Sequence, residues 1–123
     1  MKSPVDPKDY LNIPVNLRSF LNINDPYIKV TIIRCLNDSM NGVGIIKGNL
    51  LIFNSHPVIT PRNNDIVLAK INENLVCRRL KLALNLLVPE NPGYDAYSLE
   101  SASILGVLKW LINTEFPESR ELT

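Results

Sequence analysis

From residue 28 to residue 112 the chain is written in short β-branched runs broken by turn-forming clusters, and this rhythm limits its fold more than any other feature. Residues 28–35 (IKVTIIRC), 50–53, 65–71, 75–82 (LVCRRLKL), 84–88 and 104–112 each have the length and apolar content of a strand. Between them stand Asn41-Gly42-Val43-Gly44, Lys47-Gly48-Asn49, Pro61-Arg62-Asn63-Asn64, Asn72-Glu73-Asn74 and Pro89-Glu90-Asn91-Pro92-Gly93. Gly, Pro and Asn mark turns because they preset or tolerate turn dihedrals. A mostly β domain of short strands is expected, with 72–74 as a hairpin loop. The run ILGVLKWLI at 104–112 fits a strand or a short helix equally, since periodicity does not separate the two over that length.

The ends of the chain read differently. Pro4, Pro7 and Pro14 punctuate a first stretch with few apolar residues, which predicts an extended arm. Residues 16–21 (NLRSFL) predict one short helix with Asn16 as N-cap, and Asp25-Pro26 a turn. The expected organisation is an arm with a short helix over 1–26, a β domain over 27–113 and a polar tail over 114–123. At 123 residues there is room for one domain. Thirteen Lys and Arg against twelve Asp and Glu leave +1, without the basic excess that dedicated phosphate contacts need. The apolar run at 104–112 is short and contains Lys109, so no membrane span is expected. The first residues lack the apolar stretch of a secretory signal. The expectation is a soluble, cytoplasmic protein in which Cys35 and Cys77 are free thiols, small buried residues rather than redox centres.

Candidate chemistry is sparse. His56 and two distant cysteines give no metal-ligand spacing, and the five glycines form no phosphate loop, so neither metal nor cofactor is expected. His56, before Pro57, reads as a solvated loop residue. Ser39 stands in Asp38-Ser39-Met40, directly after a strand and before the Asn41-Gly42 turn. Taken alone, such a serine ordinarily bonds its own backbone.

The order of segments after Ser39 carries more information. NDSM, NGVGI, IKGNLLIFN, a proline-containing loop, NDIVLAKINENLVCRRLKL, LLVPENPGY and ILGVL follow one another. This order resembles the LexA/UmuD family, the S24 self-cleaving serine peptidases. In that family a Gly-Asp-Ser-Met bend carries the nucleophile, and a hairpin strand carries a lysine base. The resemblance spans residues 16–112 and implies a compact β domain of short twisted strands, similar to LexA and signal peptidase. It places Ser39 at the nucleophile position and Arg78 at the lysine position, with Leu80 anchoring the register. Asn37 and Asn64 stand where the family has glycine, and asparagine tolerates a left-handed backbone best among the other residues. Asn49 replaces an aspartate of the family and keeps an acceptor. Trp110 reads as core or interface, and Tyr94 and Tyr97 as lids over the sheet edge.

Arg78 bears on the enzymology. A serine nucleophile needs a neutral base, and a buried lysine can be one, but arginine stays protonated in proteins. Lys70 is the nearby candidate to replace it, and reads first as a solvated strand-end residue. The cluster Arg78-Arg79-x-Lys81 divides between the two faces of a strand and is not read as a nucleic-acid patch. Residues 1–38 hold no glycine, hence neither of the Ala-Gly and Cys-Gly dipeptides at which the family cuts itself. Within the family the chain is most similar to the UmuD branch, on Asn16-Leu17-Arg18-Ser19-Phe20-Leu21, Asn24-Asp25-Pro26 and the length ahead of Ser39, which matches the processed UmuD′ form. The resemblance then implies a non-cleaving accessory subunit of a translesion polymerase in the SOS response: a homodimer that contacts a UmuC-type polymerase and the RecA filament. Two alternatives stay open. One is a serine self-peptidase using Ser39 with an atypical base; the other is a regulatory dimerisation partner of a LexA-like repressor.

Overall fold

The computed structural model describes residues 29–112, which form one antiparallel sheet of seven strands. The arm and short helix expected over 1–26, and the tail expected over 114–123, lie outside the described residues. The strands are β1 (Val30–Arg34), β2 (Leu50–Asn54), β3 (Ile66–Ile71), β4 (Asn74–Lys81), β5 (Leu86–Val88), β6 (Tyr97–Ser98) and β7 (Ala102–Ile112). Single-turn 3-10 segments at Asn41–Val43, Leu82–Leu84 and Leu99–Ser101 make corners. The mostly β expectation holds. Among the described residues no helix is long and apolar enough to cross a membrane.

The sheet order is β1-β2-β7-β3-β4-β5-β6. β7 lies between β2 and β3 and pairs with both, so 104–112 is strand and not helix. The reason is tertiary: neighbours on both sides satisfy the main chain of this apolar run. The register of β7 shifts against β2 between Ile52 and Phe53, and against β3 between Leu68 and Ala69. Lys109 and Leu105 are the residues left over at these bulges. Beside the second, a β-carbon on Gly106 would stand 3.0 Å from the Asn54 carbonyl oxygen and 3.1 Å from Phe53 Cβ.

Side chains alternate into two apolar clusters. Ile33, Cys35, Met40, Phe53, Leu68 and Cys77 belong to one; Val67, Ala69, Val76, Leu80 and Leu87 belong to the other. Fully burying a Val, Leu, Ile, Phe or Met side chain contributes about 1.5–3 kcal/mol. Val76 and Leu80 flank Arg78 at a period of two, so Arg78 is directed to the second cluster and Cys77 into the first.

Left-handed asparagines shape the turns. β3 and β4 join through Asn72 and Glu73, with Asn72 at φ 56°. β5 begins at Leu86 rather than at 84, because residues Leu82–Leu84 coil into a 3-10 turn ended by Asn85 at φ 55°. The Leu82 amide donates to Asn63 Oδ1 at 2.9 Å, and Leu82 and Leu84 are left exposed.

Candidate functional site

The bend after β1 is held from below by apolar packing and from within by its own amides. Met40 is buried in the first cluster beside Cys35 and Ile45. The Cys35 amide donates to the Asn49 carbonyl at 2.8 Å, and the Cys35 thiol to the Asn37 carbonyl at 3.0 Å. Asn37 is not left-handed, contrary to the glycine-like role expected for it. Its side chain does the turning instead, with Oδ1 accepting from the Ser39 amide at 3.0 Å. Asn64 does take the left-handed conformation, at φ 75°. Ser39 is buried at 3% exposure, and among the described residues no hydrogen bond reaches its hydroxyl.

Arg78, 1% exposed, is among the largest fully buried side chains of the described fold. Its Nε donates to the Asp95 carbonyl at 2.9 Å and its Nη1 to the Cys77 carbonyl at 2.8 Å. The guanidinium lies 5.3 Å from the centre of the Tyr97 ring. Among the described residues it has neither a carboxylate ion pair nor a hydrogen bond to Ser39. Burial lowers its pKa from the ordinary arginine value, while Tyr97, Cys77 and Asp95 oppose that shift. At neutral pH such a group is a cation with donors only.

Lys70 is offset from Arg78 along the hairpin. It pairs across the hairpin with Leu75, whereas Arg78 pairs with Val67, and its half-exposed ammonium lies 3.7 Å from Glu73. Arg79 and Lys81 are structural. Arg79 Nε meets Glu90 Oε2 at 2.6 Å and its Nη1 donates to the Asn64 carbonyl, while Lys81 Nζ donates to Asn64 Oδ1 at 2.7 Å.

The connection between β5 and β6, residues 89–96, joins the two halves of this region. The Glu90 amide donates to the Ser39 carbonyl at 2.8 Å, and the Gly42 amide to the Glu90 carbonyl at 3.0 Å. A β-carbon on Gly42 would collide with that same Glu90 carbonyl, so the close approach requires glycine. Tyr94 is more than a lid over the edge: its hydroxyl accepts from the Asp38 amide at 3.2 Å, and Asn91 Nδ2 donates to the Asp38 carbonyl at 3.1 Å. Tyr97 lies in edge strand β6 and packs on the second cluster. These tethers escaped sequence reasoning because they join residues as far apart as Asp38 and Tyr94, with no periodic signal.

Other candidate residues are placed as follows. His56 is half-buried rather than solvated, with Nδ1 accepting from the Val58 amide at 3.0 Å. It lines a cleft of about 470 Å³ beside Ile104 and Leu105, away from the Ser39 bend. Asn49 Oδ1 accepts from the Ile46 amide, while its Nδ2 is buried without a hydrogen bond. Cys35 and Cys77 are free and buried, and burial pushes the Cys77 thiol up to about 12. Among the described residues no group of three His, Cys, Asp or Glu is placed to hold a metal ion.

Comparison with known proteins bears on the same residues. No curated protein matches the chain. A family model described as Peptidase S24-like matches residues 7–109, a span that takes in the Ser39 bend, β4 and the connection that links them. With most of its length inside that match, the chain belongs to the Peptidase S24-like family.

Proposed function

We propose that this protein is a UmuD′-like accessory subunit of a translesion DNA polymerase, one that does not cleave itself. The observation that carries the non-cleaving part is the commitment of Arg78, whose Nε and Nη1 donate to the Asp95 and Cys77 carbonyls. A cation held this way has no lone pair with which to take the Ser39 proton. Lys70, tied to Glu73, offers no substitute. Residues 1–38 contain neither of the dipeptides at which the family cuts itself. Support for the partners comes from the likeness of residues 16–26 to UmuD and from the family order of segments. On this reading the protein is a cytoplasmic homodimer that binds a UmuC-type polymerase and contacts the RecA filament during SOS mutagenesis.

Co-purification of the tagged protein with the UmuC-type polymerase of its own source, at moderate salt, tests the reading. A stable complex is expected. A protein that ignores the polymerase and instead forms mixed dimers with a LexA-like repressor overturns it in favour of the regulatory-partner alternative. The peptidase alternative is tested by intact mass after incubation with activated RecA at alkaline pH. No mass loss is expected; cleavage that disappears in Ser39→Ala reinstates an enzyme.

A further inference from the structure

We propose that residues 89–96 form a latch that holds the Ser39 bend shut, with Arg78 as the pin at its far end. The two ends of this connection are fastened differently. At one end main chain meets main chain, with the Glu90 amide on the Ser39 carbonyl at 2.8 Å and the Gly42 amide on the Glu90 carbonyl at 3.0 Å. Tyr94 and Asn91 add bonds to either side of Asp38. At the other end Arg78 reaches out of β4 to the Asp95 carbonyl at 2.9 Å and lies against Tyr97, the first residue of β6. Arg79 adds an ion pair at the first end through Glu90 at 2.6 Å.

Between Val88 and Tyr97 the connection contributes no strand to the sheet, and its own turn is local, with the Tyr94 amide on the Asn91 carbonyl. It can therefore lift by breaking these tethers while the sheet stays paired, the kind of local opening that costs less than global unfolding. In the closed position Ser39 is 3% exposed. Arg78 is then a positioning residue: it acts on Ser39 only through the segment it fastens. This inference does not depend on the polymerase reading, because it concerns access to Ser39 whatever partner the protein has.

The test is thiol labelling of a Ser39→Cys variant, with each cysteine read separately by peptide mass after maleimide treatment. Cys35 and Cys77 are buried in the core and report any global opening. The thiol introduced at position 39 is expected to label slowly. Adding Gly42→Ala, which drives the Glu90 carbonyl away, is expected to speed its labelling about tenfold or more while Cys35 and Cys77 stay protected. Arg78→Met is expected to do the same from the other end; if it fails to fold, Gly42→Ala decides alone. Fast labelling at position 39 in the single variant overturns the latch, as does a rate unchanged by Gly42→Ala or one that rises only in step with Cys35 and Cys77.

Discussion

A guanidinium and an ammonium at position 78 would be held differently, and the difference is measurable. Arg78 spans from its own strand to the Asp95 carbonyl with separate nitrogens, Nε and Nη1. A lysine has one nitrogen and cannot reproduce the fork. Arg78→Lys is expected to lower stability by about 1.5–3 kcal/mol, the usual worth of a charged hydrogen bond, read as a shift of the urea midpoint. It is also expected to leave Ser39 unreactive towards a fluorophosphonate, since neighbouring carbonyls keep an ammonium protonated; labelling that depends on Ser39 would show that only the base was missing. Cys77 gives a pH signature. Its pKa is pushed up to about 12 by burial, with Cys35 adding to the shift and Arg78 opposing it. The folded thiol holds its proton more tightly than the unfolded one. Its contribution is therefore intact below the unfolded thiol range and is lost as pH rises from there towards about 12. Urea midpoints measured from pH 8 to 10.5 should fall with pH, and Cys77→Ala should flatten that decline. An equally steep decline in Cys77→Ala would assign it to other groups.

β7 shows how an element can be plain in composition and hidden in detail. Its apolar content announced a buried segment, but strand rather than helix was decided by β2 and β3 on either side, which no local pattern encodes. The hairpin of β3 and β4 was readable because it is local; β6 was not, because Tyr97 and Ser98 alone carry no pattern. The same division runs through the site. Ser39 and Arg78 stand out by their place in an ordered set of segments, whereas the Tyr94 and Glu90 tethers depend on the folded path of the chain. Gly106 tests the element itself. An added methyl would meet the Asn54 carbonyl and Phe53 Cβ at 3.0 and 3.1 Å, where paired strands leave little freedom to move. Gly106→Ala is expected to cost about 1–3 kcal/mol with an unchanged denaturant slope. A midpoint equal to that of the parent would mean that the β2–β7 contact yields easily.

At the scale of the molecule, the position of β7 ties the last described strand to the integrity of the whole sheet. Without it β1 and β2 would form one hairpin and β3 to β6 another group, with no strand pairing between them. Only the loop from Ser55 to Asp65, the packing of the first cluster and the tethers from residues 89–96 to the Ser39 bend would hold them together. Each part would then show an unpaired edge along an apolar strand, β2 in one case and β3 in the other. Such edges favour association over folding. Phe53 and Leu68, both in the first cluster, would lose Leu105 and Leu108 from the same packing. Folding must also wait for residues 102–112 to find partners far back in the sequence, which makes closure non-local and slow. A chain ending at Ser101 is therefore expected to lose the cooperative urea transition altogether and to bind a hydrophobic dye, unlike Gly106→Ala, which only moves the midpoint. A cooperative transition in the shortened chain would show that β1–β2 or β3–β6 folds alone. β7 would then be an addition to a finished core rather than the strand that completes it.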